Sequence, residues 1–120
     1  MLTFAGRGYS PAFVANMTNA VARIRAGETI AIVSGADDIC APLMAEDRPH
    51  CRNASVTERD RLAAADIAAL LGRPLTRGKT LALDAEMLAR LRVAFAAGTV
   101  RAACAGCEWH TLCDETAASF

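Results

Sequence analysis

Five cysteines, Cys40, Cys51, Cys104, Cys107 and Cys113, are the residues of this sequence whose type and spacing could do chemistry. Thiolates are soft ligands, and sulfur-rich sets select zinc or iron–sulfur clusters, whereas calcium and magnesium want oxygen. Cys104-Ala105-Gly106-Cys107 is a Cys-x-x-Cys unit, which lets two thiolates converge on one centre from a tight turn; Ala105 and Gly106 are small enough for backbone amides to approach the sulfurs. Cys113 is close enough in sequence to join them. The remaining ligand must come from Cys40 or Cys51, and either choice would close the two halves of the chain around one site. Zinc commonly takes histidine, so Cys104, Cys107, Cys113 and His110 form an alternative set, although four ligands within ten residues is tight. Only one paired knuckle exists, and the ten residues between Cys40 and Cys51 suit the bulk of a cluster better than a zinc finger.

The chain that must position these thiols has 120 residues, the size of one domain, so residues 1–120 read as a single cysteine-rich domain. Hydrophobic residues at 53% supply a core, and charged residues at 22% leave no compositional case for disorder. Thirteen basic and thirteen acidic side chains cancel, which removes the electrostatic footprint of a nucleic-acid binder. No apolar run reaches the ~18 residues that span a bilayer, and no signal-like leader is readable, so the expectation is a soluble, cytoplasmic protein. An odd number of cysteines in a reducing compartment argues against a disulfide framework.

Ser10-Pro11 is a helix start, with the serine as N-cap and proline at the first helical position, and Phe13, Val14, Met17, Val21 and Ile24 give a stripe over residues 11–26. Residues 28–34, rich in β-branched side chains, predict a strand. Residues 35–53 then read as a loop of nearly twenty residues holding Cys40 and Cys51, and such loops are usually functional or disordered. Ser55 with Glu58 is a capping-box pattern that opens a helix to about Leu71. Residues 79–83 suggest a second short strand. Asp84 caps a helix with Met87, Leu88, Leu91, Ala94 and Phe95 on one face, ended by Gly98. The tail, residues 99–120, carries three cysteines, Trp109 and His110 in a short helix and an irregular wrap. The fold class is therefore α+β, mainly helical, with about four helices, one or two short strands and a long cysteine-bearing loop; twenty-seven alanines favour helix.

Each candidate has a plainer reading. A single free cysteine is more often a small core residue than a ligand, though five together are not. Gly6-Arg7-Gly8 before a helix could cradle an anion, but a tight turn accounts for it. Asp37 and Asp38 are acids beside a strand end, where turn residues are common. His50 and His110 neighbour cysteines and could ligate or move protons, yet solvated or capping histidines are more frequent. Trp109 can pack over the cysteine site and exclude water, or be the largest core residue. A thioredoxin-like redox pair at Cys104 and Cys107 lacks its strand and helix context. Oxidation of the purified chain could join Cys104 to Cys113 or Cys40 to Cys51 if their Cα atoms lie within about 7 Å.

Gly6-Arg7-Gly8-Tyr9-Ser10-Pro11, Asp37-Asp38-Ile39-Cys40-Ala41-Pro42 and Cys104-Ala105-Gly106-Cys107-Glu108-Trp109 with Cys113 together resemble a bacterial and archaeal family of about 130 residues, domain of unknown function 1284. The resemblance spans nearly the whole chain and implies an iron–sulfur binding protein with no assigned reaction. Many members carry a further cysteine three residues after the one at position 40, where this chain has Leu43. Members also often carry a basic, histidine-containing segment ending in cysteine just before the position of Met1; either the start is misplaced or this branch lacks that segment, and a family ligand lying there would leave cluster binding by this chain weakened or lost.

The resulting expectation is one iron–sulfur cluster, a four-iron cubane ahead of a two-iron centre, held by four of Cys40, Cys51, Cys104, Cys107 and Cys113, in electron transfer or redox sensing with a redox or protein partner. The alternative is a structural zinc or thiol-stapled interaction module. No serine–histidine–acid set, phosphate loop or nucleotide fingerprint assigns a substrate or a catalytic residue.

Overall fold

A computed structural model gives the fold and describes residues 2–35, 37–43 and 54–120. Cys51 and His50 lie outside the described residues. Four α-helices are present among those described: α1 (Pro11–Arg25), α2 (Ala54–Leu71), α3 (Ala85–Ala96) and α4 (His110–Ala117). Strands β1 (Ile30–Ala31) and β2 (Thr80–Leu81) pair antiparallel, with Ile30 opposite Leu81 and Ala31 opposite Thr80. The mainly helical α+β expectation holds. The strands are shorter than residues 28–34 and 79–83, though beyond the ladder Ile32 N–H still donates to Lys79 C=O at 2.8 Å.

Helix starts follow the caps. The Ser10 hydroxyl accepts from Phe13 N–H at 3.1 Å with Pro11 at the first helical position, and the Asp84 carboxylate accepts from Met87 N–H at 2.7 Å. The capping box at Ser55 and Glu58 is not formed. Helix α2 already includes Ala54, and the Glu58 carboxylate receives Arg61 one turn later at 2.9 and 2.6 Å, an i,i+3 pair on an exposed surface. The described part of the expected long loop is also more regular than a loop, because Asp38–Leu43 forms a 3₁₀ segment.

Three apolar clusters hold these elements. Leu75, Leu81, Leu83 and Leu91 centre the first, where the sheet meets α2 and α3. Ala94, Phe95, Val100 and Ala117 centre the second, between α3 and α4, and Cys104 and Cys113 pack against it. The third is Cys40 with Leu43, covered by Phe13 of α1. Leu43 is 1% exposed, the most completely buried large side chain described. No helix described is long and apolar enough to cross a membrane.

Candidate functional site

The Cys-x-x-Cys unit folds as a type II β-turn. Cys107 N–H donates to Cys104 C=O at 3.1 Å, Ala105 has φ −59° and ψ 124°, and Gly106 has φ 68°. A type II turn needs positive φ at its third residue, which is the use made of Gly106; no atom crowds its missing Cβ within 4 Å. The turn follows a 3₁₀ segment, Ala102–Cys104, and leads into α4 through His110 N–H to Cys107 C=O and Cys113 N–H to Trp109 C=O, at 3.2 and 3.0 Å.

Three helices hold Arg101 and Ala102, the residues that lead into the turn. Asp66 of α2 accepts Ala102 N–H at 2.9 Å. The Arg101 guanidinium lies over the Phe95 ring of α3, 4.6 Å from its centroid, and pairs with Asp114 of α4 at 2.5 Å. Arg101 holds the Asp114 carboxyl below the usual carboxylate range. His110 sits between them: Arg101 Nη2 approaches Nε2 at 3.3 Å, and Nδ1 lies 3.0 Å from Asp114. A guanidinium only donates, so it meets Nε2 as an acceptor, with the ring proton on Nδ1 directed at Asp114. Both ring nitrogens are thus taken up, and the zinc set of Cys104, Cys107, Cys113 and His110 lacks its histidine in this arrangement.

Above the turn, Tyr9 joins the N-terminal segment to the residues that follow Cys107. Trp109 Nε1–H donates to the Tyr9 oxygen, and the Tyr9 hydroxyl donates to Glu108 Oε1, each at 2.9 Å. The Tyr9 ring is edge-on to Trp109 and to Phe13, with centroids 5.5 and 5.4 Å apart. Burial, together with the nearby negative charge of Glu108 and Cys107, pushes the Tyr9 phenol up to about 12 despite the Trp109 hydrogen bond. Trp109 is thus engaged by Tyr9, a residue that spacing alone gave no reason to single out, while Ala105 and Gly106 of the turn are exposed.

The four predicted ligands among the described residues fall into three places. Cys104 and Cys107 occupy the turn; Cys113 lies on α4 with its sulfur 3.2 Å from Thr3 Oγ1 and its side chain on the second cluster. All three are half-buried free thiols, with no bond between Cys104 and Cys113. Cys40 is in the third cluster, where its thiol donates to Asp37 Oδ1 at 3.5 Å. Asp37 also accepts Ile39 N–H at 2.9 Å, so this aspartate shapes the turn that presents Cys40. Asn16 of α1 ties the same segment down by donating to Asp38 C=O and Ile39 C=O, at 2.8 and 3.2 Å. Among the described residues, no three histidine, cysteine, aspartate or glutamate side chains converge on a point where a metal ion could sit. The donor chemistry suits a thiophilic group, but the described donors alone do not complete a site for one.

At Gly6-Arg7-Gly8 the chain bends at Gly6, with φ 74°. Gly8 is close against α1, where a Cβ would fall 2.5 Å from Phe13 Cδ1. Among the described residues, grooves of about 400 and 460 Å³ meet at Val33, and none of the described residues lining them is a cysteine.

A small, mainly helical domain carrying a cysteine turn whose exit is bonded to Tyr9 is thus the class of protein that the fold and the site define. Residues 8–113 match the family model described as protein of unknown function (DUF1284), and the chain belongs to that family. No curated protein and no solved structure matches the chain.

Proposed function

We propose that the chain binds one iron–sulfur cluster, with Cys104, Cys107 and Cys113 as three ligands and Cys51 or Cys40 as the fourth, in an electron-transfer or redox-sensing role. The observation that carries this reading is the type II turn, which has a thiol at each end and whose entry, Arg101 and Ala102, is held by Asp66, Phe95 and Asp114 from three different helices. Such preorganisation lowers the cost of binding, because the ligand-bearing backbone is already ordered. When bound, the cluster supplies one-electron chemistry. The chain's own contribution is to hold the turn, to fasten its exit through Tyr9, Glu108 and Trp109, and to carry Cys113 on α4. Since the described thiols do not converge, uptake includes repositioning of Cys113 or of the segment that bears Cys40 and Cys51.

The test is iron, zinc and acid-labile sulfide per chain after purification without oxygen. About four irons with matching sulfide support a cubane, and about two of each a two-iron centre. Zinc without sulfide, or no metal, overturns the cluster reading. If Cys107→Ser, Cys113→Ser and Cys51→Ser each leave iron and sulfide unchanged, the ligand assignment is wrong.

A second reading, a structural zinc or thiol-stapled interaction module without catalysis, is favoured by one observation: Cys40 and Cys113 are both accounted for by packing, in the third and second clusters. Zinc would bind colourlessly, and its removal would reduce helical circular dichroism because such binding is coupled to folding. Unchanged helicity after complete zinc removal sinks that reading.

A further inference from the structure

Outside the cysteines themselves, one set of contacts spans the site. Tyr9 is bonded at its hydroxyl to Glu108 and Trp109, the two residues directly after Cys107. Its ring rests edge-on against Phe13, and Phe13 covers Cys40 and Leu43. The partners are about a hundred positions apart in sequence, so no local preference produces this contact. Nothing in a plain packing role requires the tyrosine oxygen. A phenylalanine would make the same edge contacts, whereas the hydroxyl is used twice, as acceptor from the indole and as donor to the carboxylate.

We infer that Tyr9 is the positioning residue of the cysteine site: its hydroxyl fixes the exit of the Cys104–Cys107 turn, and its ring ties that turn to the α1 residue seated over Cys40. Tyr9 thereby sets the placing of Cys107 relative to the Cys40 segment and restricts access to the Cys107 thiol. Cys113 is held differently, beside Thr3, and is outside this control. The purpose of the clasp rests on the ligand reading proposed above, but its existence does not, because it can be tested on reduced, metal-free protein.

The experiment is a time course of iodoacetamide alkylation, resolved by peptide mass spectrometry, on the parent chain, Tyr9→Phe and Thr3→Val. Tyr9→Phe keeps the ring and loses the two hydrogen bonds. It is expected to raise the alkylation rate of Cys107 roughly fivefold, the factor matching one net hydrogen bond of about 1 kcal/mol, with Cys113 unchanged. Thr3→Val should raise the rate at Cys113 and leave Cys107 as it was. Because the chain has a single tryptophan, the emission of Trp109 reads the same contact, and Tyr9→Phe should change it while far-UV circular dichroism stays constant. Equal acceleration of Cys107 and Cys113 in Tyr9→Phe would mean general loosening and overturn the proposal, as would an unchanged Cys107 rate. Absence of iron with a selective Cys107 response would refute the cluster and leave the clasp standing.

Discussion

Replacing Gly8 by alanine probes the clasp through packing alone. A Cβ at this position would lie 2.5 and 2.8 Å from two carbons of the Phe13 ring and 3.2 Å from Val14 Cγ2. Carbon atoms in contact prefer about 3.5–4.0 Å, so the ring must withdraw by about 1 Å. Phe13 has Tyr9 on one side and the Cys40–Leu43 cluster on another, and Leu43 is already at 1% exposure, so there is little room to retreat. Overpacking of this kind costs about 1–3 kcal/mol, against which the reduced freedom of the unfolded chain returns about 0.4–1 kcal/mol, since the Gly8 backbone is not in the left-handed region. A net loss of about 1–2 kcal/mol should lower Tm by about 4–8 °C in a domain of this size. Far-UV circular dichroism during heating measures the loss, and Trp109 emission reports whether the displacement reaches Tyr9. Gly6→Ala is the control: its Cβ meets open space, so its cost comes only from φ 74° and Trp109 emission should not change. If Gly8→Ala melts within about a degree of the parent with unaltered emission, the packing argument linking Gly8, Phe13 and Tyr9 is wrong.

Leu91→Ala, at a side chain 3% exposed in the first cluster, should cost about 2–5 kcal/mol in urea unfolding; under about 1 kcal/mol would show that the cluster is not a packed core. Gly106→Ala should lose about 1–2 kcal/mol from the turn and, if the cluster reading is right, lower the iron bound per chain; full stability would contradict the type II geometry. Asp60 has its carboxyl raised, first by burial, with the Gly35 N–H bond opposing and the charge of Asp37 adding. Its protonated form is therefore favoured in the fold, so that contribution is complete below the unfolded value of about 3.9 and is lost as pH rises through the higher folded value. Asp60→Asn, which keeps an acceptor for Gly35, should be more stable than the parent at neutral pH and equal to it in acid; a difference independent of pH would refute the assignment.

What could be read beforehand is what short stretches of chain decide by themselves. Ser10 before Pro11, and Asp84 three residues before Met87, supply caps wherever they stand, and α1 and α3 begin there. Ser55 and Glu58 carried the same kind of signal, but α2 already includes Ala54, so Ser55 stands inside the helix and Glu58 pairs with Arg61 instead. The cysteine turn was legible from Gly106, although its glycine serves a positive φ rather than the approach of amides to sulfur. The position of Cys113 beside Thr3, the engagement of both His110 nitrogens and the use of Tyr9 were not legible, since each depends on side chains from distant segments meeting in the folded chain. Leu43 proves to be a core residue beside Cys40.

Helix α2 bonds to both cysteine-bearing segments: Asp60 accepts Gly35 N–H shortly before Cys40, and Asp66 accepts Ala102 N–H shortly before Cys104. These two carboxylates are six residues apart, which on an α-helix means about 9 Å along the axis and directions about 120° apart around it. The helix is thus a gauge, fixing separation and bearing between two stretches that otherwise belong to opposite ends of the chain. One alanine inserted between Asp60 and Asp66 would turn one carboxylate by about 100° away from its amide, while leaving composition, charge and helix propensity almost untouched. Length variation in this family should therefore fall outside that six-residue interval, even though its alanine-rich surface would look like a tolerant place for it.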